Sequence, residues 1–161
     1  MFGLLAGTLL LAVVWASAVC AQPKAYAAPR TETAIFAGCC FWCVEADFDK
    51  LPGVLATTSG YTGGKTANPN YQEVSSNLTG HAEAVAIVFD PARIGYAQLV
   101  EHFWRTIDPT DATGQFCDKG PPYRTAIFAQ DGAQLAAAQA SKAALEKNKP
   151  FAAPIVTPVL M

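Results

Sequence analysis

Thr33-Ala34-Ile35-Phe36-Ala37-Gly38-Cys39-Cys40-Phe41-Trp42-Cys43-Val44-Glu45 is the stretch from which the architecture unfolds. Thr33 to Ala37 is a short apolar run of buried-strand type, and Phe41 to Lys50 carries an amphipathic helical pattern. A Gly-Cys-Cys turn joins them. The order strand, turn, helix sets Cys40 at a helix N-terminus, where backbone N–H groups lack partners and the positive end of the macrodipole lies. Both favour a thiolate over a thiol, so Cys40 is the candidate nucleophile. The competing reading is structural, because unreactive cysteines pack as small buried hydrophobes.

Working outward, Val54–Tyr61 reads as a second strand, followed by a Gly/Asn/Pro-rich loop through Leu78. Ala82–Phe89 is a third strand, ended by Asp90-Pro91, and Tyr96–Ile107 is a helix. A loop from Asp108 to Arg124 leads into strand Thr125–Ala129, helix Gly132–Lys147 and a final extended piece, Pro154–Val159. No helix separates the second and third strands, so some pairing is antiparallel. This βαββαβ-like order predicts an α/β fold of the α+β plait kind. That fold is a two-layer sandwich with a mixed sheet and helices over one sheet face. The loops from Gly60 to Leu78 and from Asp108 to Arg124 are long for a compact domain, and structureless loops of that length are often functional.

At 161 residues the chain suits one domain with a sizeable core, and a net charge of −2 leaves no footprint for nucleic acid. Met1 to Pro23 holds no charged side chain, and Leu4 to Val14 is strongly apolar. Residues 1–21 therefore read as a secretory signal, with Val19-Cys20-Ala21 or Ala25-Tyr26-Ala27 as cleavage sites, or as an uncleaved membrane anchor. The lack of Lys or Arg in the n-region departs from the signal pattern. Export to a periplasm-like space is the expectation, with residues 22–32 a linker rich in Pro and Ala and 33–161 the folded domain. Once Cys20 is assigned to the leader, three of the four remaining cysteines crowd into Cys39, Cys40 and Cys43. That is a poor frame for structural staples and a good one for redox chemistry. Cys40-x-x-Cys43 has zinc-ligand spacing, but no second C-x-x-C or H-x3-H pair follows, so no metal is expected. His81, beside Gly80, is expected to fix a loop-to-strand turn by hydrogen bonding; His102 reads as surface or packing.

Ala37-Gly38-Cys39-Cys40-Phe41-Trp42-Cys43 resembles the G-C-F-W active-site motif of the A-type peptide methionine sulfoxide reductases. Further blocks agree in family order: Ser59-Gly60-Tyr61-Thr62-Gly63-Gly64, Asn68-Pro69-Asn70-Tyr71, Thr79-Gly80-His81-Ala82-Glu83-Ala84-Val85, and Gly114-Gln115-Phe116-Cys117-Asp118 with Tyr123-Arg124. The resemblance implies the same two-layer α/β architecture and reduction of methionine sulfoxide, the S epimer, in proteins or free. It implies that Cys40 attacks the sulfoxide sulfur, that Phe41 and Trp42 wall the pocket for the S-methyl group, and that Glu83 supplies a proton. It implies too that Tyr71 and Tyr123 hydrogen-bond the sulfoxide oxygen and that Asp118 helps hold the polar side.

The chemistry is coherent. A sulfoxide oxygen gains charge as a thiolate attacks, so donors aimed at it stabilise the transition state. An unperturbed Glu titrates at about 4.3, so the acid must be raised, as burial does. The resulting sulfenic acid condenses with a second thiol; Cys43 is the first candidate, Cys117 the second, and Cys39 the last because a ring between neighbours is strained. No cofactor is expected to stay bound. Thioredoxin or another dithiol would restore the thiols, as the family implies.

Three departures bear on the site. Cys39 stands where most relatives have Gly, and a β-carbon is expected to crowd the turn there. Gly120-Pro121-Pro122 stiffens the approach to Tyr123 and removes two N–H donors. Relatives usually continue past Ile155-Val156-Thr157 into a Tyr/His-rich tail, so a more open pocket is expected here. Two alternatives stand beside the reductase: a thioredoxin-like disulfide oxidoreductase using Cys40-Phe41-Trp42-Cys43, and a non-enzymatic exported domain.

Overall fold

The computed structural model describes residues 30–161. The leader, its cleavage sites and most of the 22–32 linker lie outside the described residues. The chain runs β1 (Glu32–Ala37), α1 (Phe41–Phe48), β2 (Val54–Thr62), α2 (Tyr71–Ser75), β3 (Ala82–Phe89) and α3 (Tyr96–Thr106). Then come a small hairpin of β4 (Gly114–Gln115) and β5 (Asp118–Lys119), a 3-10 turn at Pro121–Tyr123, β6 (Ala126–Phe128), α4 (Gly132–Asn148) and β7 (Val159–Leu160). The five-stranded sheet has the order β2-β3-β1-β6-β7. The β1–β3, β2–β3 and β1–β6 pairs are antiparallel and β6–β7 is parallel, so the sheet is mixed and the plait expectation holds.

Period-2 alternation decides which side chains meet the helices. Ala34 and Phe36 of β1, with Val85, Ile87 and Phe89 of β3, join one core with Val44 and Phe48 of α1 and Leu99, Val100 and Phe103 of α3. Phe36 is fully buried, and its ring stacks on Phe103 at 4.9 Å and Phe48 at 5.3 Å between centroids. Ala37, Ala82, Ala84 and Ala126 gather with Phe128 in a second, smaller cluster. Glu83 continues the helix-facing row of β3 one step beyond Val85. That phase turns a carboxyl inward.

Gly38 explains how the nucleophile turn comes so close to α3. A β-carbon there would stand 2.7 Å from Ile107 Cγ2 and 2.9 Å from Phe103 Cε2, closer than packed atoms tolerate.

Several boundaries differ from expectation for physical reasons. α1 stops at Phe48 rather than Lys50, because Leu51 precedes Pro52 and the Leu51 N–H turns back to the Phe48 carbonyl. The 60–78 loop is not structureless: Asn70 and Glu73 form a capping box that starts α2 at Tyr71. The 108–124 loop holds the β4–β5 hairpin and the 3-10 turn. Gln115 braces that hairpin, donating to the Asp108 and Gly114 carbonyls and accepting from the Asp108 N–H. The terminal extended piece pairs only at Val159–Leu160, where the Ile127 N–H reaches the Pro158 carbonyl at 3.0 Å.

Phe36→Ala is expected to lower the unfolding free energy by about 3–5 kcal/mol in urea titration. A loss below about 1 kcal/mol would contradict the central place given to this ring.

Candidate active site

Cys40 is the N-cap residue of α1, with extended-type φ −52° and ψ 123°, and its side chain is half-buried. Its carbonyl accepts from the Cys43 N–H at 3.0 Å and from the Val44 N–H at 3.3 Å. The shorter i→i+3 bond tightens the first turn towards 3-10 geometry, in which residues three apart eclipse. That geometry favours an approach of Cys43 to Cys40. The Cys43 thiol, exposed at the surface, is pushed up by local burial and then by the charge and hydrogen bonding of the Cys40 sulfur.

The Phe41 N–H donates to Glu83 Oε2 at 3.0 Å. Glu83 is 3 % exposed, and burial lifts its carboxyl above the ordinary value of 4.5. The Phe41 N–H opposes that lift, and the charge of Asp118 adds to it. Desolvation wins, so the Glu83 carboxyl beside the Cys39–Cys40 turn is shifted towards its protonated form.

Tyr61 and Tyr123 feel the charge of this carboxyl, and Tyr71 acts on both of them. Tyr123, half-buried, is pushed up to about 12, first by burial, then by Glu83 and by Tyr71, to which its hydroxyl hydrogen-bonds. Tyr71, at the start of α2, is exposed. Tyr61 was not singled out from the sequence. It faces Glu83 in the β2–β3 ladder, its ring lies 5.7 Å from Phe41, and its hydroxyl is pushed up by burial, Glu83 and Tyr71 in that order. The signal that could have found it was its place in the Ser59-Gly60-Tyr61 block, directly across a hairpin from Glu83. Phe41 is buried, whereas Trp42 is 70 % exposed with its ring tilted 5.6 Å from Phe41, so the two aromatics form a wall with an open rim.

His81 does what its position suggested. Its Nδ1 accepts from the Gly64 N–H at 3.2 Å and its Nε2–H donates to the Thr66 carbonyl at 2.9 Å, fastening the loop that leads to Tyr71. His102 packs edge-on against Phe48.

On the other side of the turn, Cys39 adopts φ +89°, the left-handed region that glycine enters freely, as the expected crowding required. Its buried thiol lies 3.4 Å from Asp118 Oδ2 and is pushed up to about 11 by burial, which makes it a poor partner for a sulfenic acid. Cys39, Cys43, Phe116, Cys117 and Asp118 line a cavity of about 300 Å³ beside α1, so both second-thiol candidates face the same space.

A cysteine at a helix N-cap, with a buried carboxyl bonded to the next residue's N–H, fits a thiol oxidoreductase, and a plait carrying that arrangement narrows the class. The family model described as peptide methionine sulfoxide reductase matches residues 32–161. The enzyme named peptide methionine sulfoxide reductase MsrA from Ligilactobacillus salivarius is 55 % identical over 128 residues, 80 % of this chain and 74 % of the relative. Among solved structures, methionine sulfoxide reductase A of Corynebacterium diphtheriae superimposes with a TM-score of 0.71 at 30 % identity, covering 83 % of this chain and 66 % of that one. Mxr1 from Saccharomyces cerevisiae in reduced form gives a TM-score of 0.74 at 26 % identity, covering 81 % and 76 %. The same yeast protein in complex with Trx2 shares the fold at a TM-score of 0.57 and 21 % identity, covering 79 % of this chain and 73 % of that one. The chain belongs to the peptide methionine sulfoxide reductase family.

Because folding raises the Glu83 pKa, the native state binds more protons than the unfolded chain as pH rises from 4.5. The stabilisation from this group is full in acid and falls with rising pH. Subtracting the unfolding free energy of Glu83→Gln isolates it: the wild type should lose stability relative to the variant between pH 4.5 and neutrality. A flat difference, or one that grows in favour of the wild type, would contradict the assignment.

Proposed function

We infer that the protein reduces methionine sulfoxide by thiol chemistry at Cys40, with Glu83 as the proton donor. The observation that carries this reading is the buried Glu83 carboxyl, shifted upward by that burial and bonded to the Phe41 N–H beside Cys40. The Cys40 thiolate attacks the sulfoxide sulfur, and the Glu83 proton passes to the sulfoxide oxygen as charge builds there. In the sulfur–sulfur adduct so formed, the protonated oxygen passes from the substrate sulfur to the Cys40 sulfur as the sulfur–sulfur bond breaks. This leaves a sulfide, a Cys40 sulfenic acid and a Glu83 carboxylate. The substrate sulfur gains two electrons and the Cys40 sulfur gives them up. Tyr71 and Tyr123, linked through their hydroxyls, act as donors to the oxygen, Phe41 and Trp42 receive the S-methyl group, and Asp118 bounds the polar side. Family membership implies the S epimer.

Cys43 then displaces hydroxide from the sulfenic acid, giving a Cys40–Cys43 disulfide and water. The tightened first turn and the mutual influence of the two sulfurs favour Cys43 over Cys117. An external dithiol of the thioredoxin kind reduces this disulfide; the likeness to a yeast relative solved with Trx2 supports that choice of reductant. Oxidised-methionine proteins or peptides are the substrates. The thioredoxin-like alternative for Cys40-x-x-Cys43 is not favoured, since the fold and the family are those of the sulfoxide reductases. Export, with residues 1–21 as a cleaved signal, is proposed on the uncharged apolar composition of that stretch. Among the described residues no helix is long and apolar enough to cross a membrane.

With dabsylated methionine sulfoxide and dithiothreitol, Cys40→Ser should lose more than about 10³-fold in rate; equal rates for variant and wild type would remove Cys40 from the mechanism. Non-reducing peptide mapping after a single turnover should show Cys40 joined to Cys43. A Cys40–Cys117 bond would reverse the order of the two thiols.

A further inference from the structure

Cys39 is an odd residue to find in this turn. Its φ of +89° is strained for any side chain but glycine's, and strain of this kind persists only where surroundings hold it in place. What holds it is specific. The Cys39 thiol points at both strands of the β4–β5 hairpin, 3.8 Å from the Gln115 carbonyl and 3.4 Å from Asp118 Oδ2. With its thiol pushed up to about 11, Cys39 keeps its proton at neutral pH and donates it in a hydrogen bond to Asp118.

The hairpin end of that contact is rigid. Gln115 is fully buried and ties the hairpin to Asp108 by two bonds of 2.8 Å. Gly114 takes φ +145°, where a β-carbon would overlap the Asp118 carbonyl. The backbone of Asp118 is therefore fixed, while its carboxylate is half-exposed and has the Cys39 thiol as its side-chain partner among the described residues. Asp118 carries a charge that is felt at Glu83 and at Tyr123. The Phe41 N–H from α1 bonds Glu83, Tyr61 from β2 and Tyr123 from the 3-10 turn feel its charge, and Asp118 from β5 acts on it; Tyr71 from α2 acts on the two tyrosines. Of these, Asp118 is the carboxylate whose charge adds, after burial, to the upward shift of Glu83.

We propose that Cys39 is a positioning residue whose thiol, by hydrogen-bonding Asp118 Oδ2, holds that carboxylate towards Glu83 and so helps keep the proton donor loaded. The proposal rests on the reading of Glu83 as the acid of sulfoxide reduction. It gives the cysteine beside the nucleophile a role in which its sulfur is never oxidised.

The test is the pH profile of kcat for sulfoxide reduction in Cys39→Gly and Cys39→Ser, with dithiothreitol as reductant. Glycine adopts the turn without strain, so Cys39→Gly folds. Its Glu83-dependent limb should move to lower pH by about half a unit, a roughly threefold loss of kcat on that limb, with KM little changed. Cys39→Ser keeps a donor and should retain the wild-type profile. In an Asp118→Asn background, Cys39→Gly should add no further shift. A Cys39→Gly profile that superimposes on wild type would overturn the proposal, as would Cys39→Ser shifted as far as the glycine variant. If the wild type itself fails to turn over sulfoxide, the functional reading falls. The tether is then judged on the NMR titration of the Glu83 carboxyl, which Cys39→Gly must move downward and Cys39→Ser must leave in place.

Discussion

The 3.0 Å bond from the Phe41 N–H to Glu83 Oε2 is the contact on which the rest of the site depends. It joins β3 to the first residue of α1 and so fixes a carboxyl against the turn that carries Cys40. A carboxylate at a helix N-terminus would ordinarily stay ionised, because the free N–H groups and the dipole favour negative charge there. Here burial outweighs that preference, and Asp118 pushes the same way. The outcome is a helix N-terminus whose positive end lies at the Cys40 turn while the neighbouring carboxyl is shifted towards its protonated form.

The fold supplies this arrangement at a cost in stability. An inward Glu on the core row of β3 loses hydration that a leucine would not need. The left-handed Cys39 stores roughly 1–3 kcal/mol of backbone strain. Both are tolerated because the surroundings are over-determined. The Phe36, Phe48 and Phe103 stack anchors β1, α1 and α3 together, and Gly38 lets the turn settle against Ile107. His81 and Gln115 pin the two long loops that bring Tyr71, Tyr123 and Asp118 into place. A rigid sheet with loop-borne functional groups divides the work between stability and chemistry.

Much of this was legible in one dimension. The Thr33–Ala37 run, the helix opening at Phe41 and the uninterrupted passage from β2 to β3 determined the plait, because hairpin and crossover connections leave few ways to pair the strands. Period 2 from Phe89 back through Ile87 and Val85 carries Glu83 onto the inward row, yet a Glu at a strand start reads by itself as exposed, and it was the family resemblance that implied its role. What could not be read was mostly cross-chain. Tyr61 matters because register sets it opposite Glu83, and register is a property of the folded pair. The Cys39–Asp118 contact spans 79 residues and depends on a two-residue hairpin too short to announce itself as strands. The Asn70–Glu73 capping box was a visible local signal, masked by the Gly/Asn/Pro composition around it.

The central claim is that Glu83 stays protonated where an ordinary carboxyl would not. It is tested most directly by ¹³C NMR titration of the Glu83 side-chain carboxyl, assigned by its absence in Glu83→Gln. A midpoint clearly above 4.5 is the result this account predicts. A midpoint at or below that value would mean that the Phe41 N–H and the helix dipole prevail over burial, and would leave the Cys40 site without its acid.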